Sequence, residues 1–147
     1  MDPFDSPKPT WEVSRNEIRL ERPDLVFIAF RGSTTTADTV RMKEIYDTIG
    51  EKVGRFYAIV DATQIESLEP GARAVWLERD KPYPIRHIVA YGGSFSIRMV
   101  VMTMYRAARI LSPSRVPFPM EFATGEQEAR ARIDQIRRAA RHSVHPR

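Results

Sequence analysis

Side chains able to do chemistry gather where apolar runs give way to helical patterns, at residues 32–36, 62–71 and 92–96. The last of these reads Gly92-Gly93-Ser94-Phe95-Ser96. Free amides at a helix start hold anions, and glycine lets backbone approach a ligand closely. The segment nevertheless lacks the Lys-Ser/Thr ending of a phosphate loop and the glycine spacing of a dinucleotide site. It also misses the hydrolase elbow G-x-S-x-G, because Ser96 stands where the second glycine belongs. A tight turn with a serine cap is the expectation.

Asp61 closes an apolar strand pattern, the placement of a phosphoacceptor aspartate. Such a site needs further carboxylates after an earlier strand to hold magnesium against the phosphoryl group. That earlier position reads Phe30-Arg31-Gly32-Ser33 and carries none. Asp61 is expected to cap nearby amides beside Thr63. Glu66 and Glu69 could form an acid–base pair, but no histidine or second carboxylate cluster completes it. The histidines are His87, His142 and His145, and cysteine is absent. Thiol nucleophiles, Cys-ligated metals and disulfides are thereby excluded. No catalytic set forms, so neither enzymatic activity nor a cofactor or metal is expected.

The elements that position these segments follow from composition and periodicity. The chain has 147 residues, 42% hydrophobic and 29% charged, the balance of one globular domain. Neither a signal-peptide pattern nor an apolar run of membrane-spanning length is present, so a cytoplasmic protein is expected. Residues 1–70 carry 9 Lys/Arg and 13 Asp/Glu, whereas residues 71–147 carry 14 and 6, giving −4 and +8. Arg98, Arg106, Arg109, Arg130, Arg132, Arg137, Arg138 and Arg141 would be the cations for nucleic acid. They lack an accompanying aromatic stacking surface, so snorkelling or local pairing is the favoured role.

Alternation at Ile18 and Leu20 marks a strand over residues 16–20, and the unbroken run Leu25-Val26-Phe27-Ile28-Ala29-Phe30 a second, buried on both faces. Thr35 and Asp38 have capping-box spacing before the stripe Met42, Ile45, Tyr46, Ile49 and Val53, which Gly54 closes. Residues 56–61 form a third strand. A helix starting at Pro70 turns Ala72, Val75 and Trp76 inward. Residues 87–91 are a fourth strand.

The next helix aligns Ile97, Val100, Val101, Met104, Ala108 and Leu111. Its large members would contribute about 1.5–3 kcal/mol each if buried, which makes this stripe core rather than a cofactor box. Residues 118–122 form an edge strand. Thr124 and Gln127 suggest a capping box before Ala129, Ile133 and Ile136. The chain from Arg137 is expected to fray. The expected fold is α/β, a mixed, mostly parallel sheet of five strands with four helices in the order β-β-α-β-α-β-α-β-α. Residues 11–138 make its single domain, between flexible termini at 1–10 and 139–147.

This order, the stretch Phe56-Tyr57-Ala58-Ile59-Val60-Asp61-Ala62-Thr63-Gln64-Ile65 and the later Ser67-Leu68-Glu69-Pro70-Gly71-Ala72-Arg73 resemble the STAS domain. Phe122-Ala123-Thr124-Gly125-Glu126 is similar to that family's last strand-to-helix junction. The STAS domain is that of anti-sigma-factor antagonists, with divergent bacterial members related to the CRAL-TRIO lipid-binding fold. The resemblance implies a non-catalytic regulatory module that binds a protein, anti-sigma-factor-like or kinase-like, through Ser67, Leu68, Glu69, Pro70, Gly71 and Arg73. Switching members carry a phosphorylated serine in an Asp-Ser-Ser/Thr-Gly loop. Here Glu69-Pro70-Gly71 takes that place, so the phosphoswitch is expected to be missing. The alternative is a small apolar ligand or a nucleotide held near the second and third helices, by Trp76, Met102 and Tyr105 with the Gly92-Gly93-Ser94 turn. Nucleic-acid binding ranks third.

Overall fold

A computed structural model of the chain describes residues 2–143. Its six strands are β1 (Thr10–Val13), β2 (Asn16–Glu21), β3 (Leu25–Thr34), β4 (Phe56–Leu68), β5 (Ile85–Tyr91) and β6 (Met120–Ala123), hydrogen-bonded in sequence order. β1, β2 and β3 are antiparallel, and β3 to β6 are parallel. The helices are α1 (Thr36–Val53), α2 (Pro70–Leu77), α3 (Phe95–Leu111) and α4 (Glu126–Ser143). The mixed, mostly parallel α/β class and the four helices are as expected, with one strand more than the sequence pattern indicates. β1 escapes that pattern because Trp11 and Val13 are its only apolar members, too few to establish a period of two.

Strand alternation divides the core into two layers. Val26 and Ile28 face one side with Met42, Ile45, Tyr46 and Ile49 of α1, the stripe that their spacing predicts. Phe27, Ile59 and Val89 face the other side with Ala129 and Ile133 of α4. Parallel crossovers share one hand, and α2 and α3 accordingly lie on the α1 face, where Trp76 and Tyr105 pack against the first layer. The Thr35–Asp38 capping box is present, with the Thr35 hydroxyl accepting from the Asp38 amide at 3.1 Å. At α4 the Thr124 hydroxyl pairs with Glu128 at 2.6 Å, in place of the expected Gln127.

Contacts and helix extend beyond residues 11–138 at both ends. Phe4 meets Trp11 edge to face at 5.4 Å, and Arg22 donates to the Phe4 carbonyl at 2.8 Å. α4 continues to Ser143, with Arg137 paired to Asp24 across the domain. His145 lies outside the described residues.

Two corrections bear on the site. Residues 62–68, a loop by their sequence pattern, continue β4, pairing Gln64, Ile65, Ser67 and Leu68 with Arg31, Gly32, Ser33 and Thr34. Two register shifts against β3, each placing an extra residue on β4, interrupt the pleat there, so the inward residues Ala62, Ile65 and Leu68 recur every three positions and conceal a strand. The second correction concerns α3. Only Ile97 of its stripe is buried, and Leu111 is 75% exposed. The α3 stripe is therefore not closed core.

Candidate functional site: an apolar cleft beneath α3

The space that α3 leaves open is a cleft of about 180 Å³ between α2, α3 and the sheet. Its floor is built from alternate strand positions, Phe30 on β3, Val60 on β4, Ile88 and Ala90 on β5 and Phe122 on β6. Val101, Met104, Tyr105 and Ala108 of α3 form its roof, with Trp76 and Leu77 of α2 at one side. Leu77 is 37% exposed and so belongs to the rim. A dry apolar cavity on the order of 150 Å³ takes up benzene, so the volume suits a ring or a short aliphatic chain.

Several polar groups around this cleft are engaged within the domain. Tyr105 donates to the Phe118 carbonyl at 2.5 Å and accepts from Arg109 at 2.8 Å. Tyr83 donates to the Trp76 carbonyl at 2.6 Å. Burial pushes the phenols of Tyr46 and Tyr83 above their ordinary pKa, which keeps both neutral. Arg98 is the one charged residue of the lining, and its Nε donates to the Gly92 carbonyl at 3.1 Å. Among the described residues, no Asp, Glu, His, Lys, Ser or Thr lines the cleft. It can exclude water and hold apolar matter by dispersion, and it offers no base or nucleophile.

The expected ligand residues divide accordingly. Trp76, Tyr105 and Gly92 line the cleft, whereas Gly93, Ser94 and Met102 do not. Ser94 instead caps α3, its hydroxyl accepting from the Ile97 amide at 3.2 Å, as the turn reading anticipated. Gly92 has φ +81°, and a Cβ there would stand 2.8 Å from the Thr63 amide nitrogen. The turn is thus fitted against β4. Met104, expected in the core, is a lining residue, while Met102, two positions away, lies about 200° around the helix. Sequence alone signals the cleft only through α3 itself, which carries apolar residues on more than one face.

The residues expected to meet a protein partner form a strap from β4 into α2. Ser67, Glu69, Pro70 and Gly71 are exposed, while Leu68 is buried and lines the cleft. Three of the set also hold the fold. The Glu69 carboxylate accepts from the Thr36 amide at 3.2 Å, which caps α1. Arg73 Nε donates to the Leu68 carbonyl at 3.1 Å. A Cβ on Gly71 would come 2.3 Å from the Thr36 hydroxyl, so the close approach of α2 to α1 needs a glycine. The Ser67 and Ser33 hydroxyls are 2.8 Å apart. Asp61 accepts from the Thr63 amide at 2.9 Å and the Thr63 hydroxyl at 2.6 Å, the local cap expected of it.

Three of the α4 arginines, Arg130, Arg132 and Arg137, form ion pairs within the domain. Arg130 makes two bonds to Glu21, and Arg132 meets Glu121 at 2.7 Å. His87 Nε2 lies 2.7 Å from the other oxygen of Glu121. Burial opposes charge on Glu121, but the bonds from Arg132 and His87 outweigh it and hold its pKa below the ordinary value. Among the described residues no group of His, Asp and Glu has metal-site geometry, and no helix is long and apolar enough to cross a membrane.

Comparison with known proteins settles the architecture. A crystal structure of an uncharacterised protein of the DUF3478 family with a SpoIIAA-like fold, from Shewanella loihica PV-4, superposes with a TM-score of 0.53. The match covers 83% of this chain and 88% of that one at 13% identity. The chain has the SpoIIAA-like fold. This is the fold of the STAS, anti-sigma-factor antagonist domain, as the sequence resemblance implied. No family model and no curated protein matches. Within the strap, Pro70 opens α2.

Proposed function

We propose that the protein is a non-catalytic binding module that holds a small apolar ligand in the cleft between α2, α3 and the sheet. The observation that carries this reading is the cleft itself, about 180 Å³ lined by aromatic and aliphatic side chains. Protein interiors close such voids when nothing selects for them, because unfilled apolar space forfeits dispersion contacts. The lack of any base, nucleophile or carboxylate in the lining favours storage or sensing over turnover.

The test is displacement of an environment-sensitive apolar dye by medium-chain fatty acids, alkyl aromatics and nucleotides, with wild type and Met104→Trp compared. The larger side chain fills the cleft. Dye uptake should be saturable and competed by apolar compounds in the wild type, and lost in a Met104→Trp variant that remains folded. Equal uptake by both proteins, or competition by nucleotides alone, would sink the reading.

A regulatory protein partner at the strap is the second reading, supported by the joint exposure of Ser67, Glu69, Pro70 and Gly71 beside the buried Leu68. It is best tested at Ser67, whose exposed hydroxyl bonds the Ser33 hydroxyl. Ser67→Arg should abolish partner capture without shifting the unfolding midpoint, and unchanged capture would remove the strap from consideration.

A further inference from the structure

We propose that the outer face of α3 docks on an anionic membrane surface. The helix is apolar on two sides. Ile97, Val101, Met104 and Ala108 line the cleft, while Phe95 and Met99, one turn apart, and Ile110 point away from it. Phe95 is 78% exposed, Met99 48%, Ile110 79% and the terminal Leu111 75%. No described element of the domain covers these outer side chains.

Charge identifies the occupant. From Lys81 to Met120 the chain carries Lys81, Arg86, Arg98, Arg106, Arg109 and Arg115 and no acidic residue. Among the described residues the exposed Arg106 and Arg109 join no ion pair, in contrast to Arg130, Arg132 and Arg137 of α4. Exposed apolar residues interleaved with uncompensated arginines suit an anionic bilayer surface, where the rings and chains enter the acyl boundary and the guanidinium groups snorkel to the headgroups. A second copy fits less well. An isologous contact would set one arginine-bearing, acid-free helix against another. Surface docking is the mode open to α3, since it does not meet the requirements of a crossing helix.

Sedimentation of the full chain with vesicles tests the proposal, using phosphatidylcholine alone or mixed with phosphatidylglycerol. Binding should appear on the mixed vesicles, weaken with salt and be slight on phosphatidylcholine. Phe95→Ser and Ile110→Ser should each lower partitioning by about tenfold, from the apolar area withdrawn. Arg106→Gln should lower it about fivefold. All three positions face solvent, so unfolding midpoints should stay at the wild-type value. Met104→Trp should keep vesicle binding, which separates this surface from the ligand cleft. Three results would each overturn the proposal: no preference for the anionic vesicles, full binding by the Phe95→Ser/Ile110→Ser double variant, or a dimer broken by that double variant without any vesicle binding.

Discussion

Tyr46 of α1 and Trp76 of α2 stack with ring centroids 5.7 Å apart and planes 20° from parallel, and both rings line the cleft. Phe30 meets Trp76 edge to face at 6.4 Å, so this indole joins the α1 core layer to the ligand space. Trp76 is one of two tryptophans, the other being Trp11 at the far edge of the sheet. In a Trp11→Phe protein, Trp76 should report cleft occupancy directly. Saturating an apolar ligand should shift or quench its emission, whereas a polar anion should leave it unchanged. Trp76→Ala should cost about 3 kcal/mol in denaturant unfolding and weaken ligand retention together, because one ring serves both packing and lining.

Gly92 makes a separate prediction about the turn that leads into α3. Its φ of +81° disfavours any residue with a Cβ, and that Cβ would also press on the Thr63 backbone, 2.8 Å from N and 2.9 Å from Cα. Backbone cannot rotate aside as a side chain can. Gly92→Ala should therefore destabilise the domain by at least about 2 kcal/mol, measured by chemical denaturation. Gly125 is the contrast, because a Cβ added there would meet nothing within 4 Å, and Gly125→Ala should cost clearly less, only the preference of a helix N-cap for glycine over alanine.

The contrast between α1 and α3 explains what was legible in the sequence. On α1 the apolar residues occupy one stripe, the opposite face is charged, and period alone places Met42, Ile45 and Ile49 in the core. On α3 the same period finds Ile97, Val101, Met104 and Ala108 correctly as one side, but burial is a property of how closely the helix approaches the sheet. That distance is set by tertiary packing, which no local pattern encodes. β4 past Asp61 is concealed for a different reason, since register shifts remove the alternation that marks a strand. The strap is legible as a segment of the chain, yet the capping role of Glu69 rests on Thr36, thirty-three positions earlier, and is visible only in three dimensions.

Asp47 and Arg79 give a prediction for the chain segment after α2. The pair is bidentate, at 2.9 and 2.5 Å, and the Arg79 side chain is only 5% exposed beneath the Tyr83 ring. Burial works most strongly against the Arg79 charge, but the bond to Asp47 together with the Asp47 charge and the nearby Tyr83 and Asp80 outweighs it and raises its pKa. Asp47→Ala strands that cation and should cost about 3 kcal/mol. Adding Arg79→Met should restore part of the loss, because the buried charge is then removed as well. A double variant as unstable as the sum of the single variants would show that the two residues act independently of each other, contrary to their geometry.

Acid stability should report the junction between β2 and α4. Arg130 donates to both oxygens of Glu21, at 2.8 and 3.0 Å, and these bonds lower the Glu21 pKa from 4.5 to about 2 against the opposing effect of burial, with Arg19 assisting. A depressed folded-state pKa means that the unfolded chain binds the proton first as pH falls. The contribution is therefore complete above pH 4.5 and is lost progressively on acidification toward pH 2. Solvent screening of a partly exposed pair limits it to on the order of 1 kcal/mol. Glu21→Gln should be less stable than wild type by that amount at neutral pH. The two proteins should converge as pH falls through this window, measured by urea midpoints at each pH. A constant difference down to pH 2 would assign the effect of Glu21 to packing rather than to its charge.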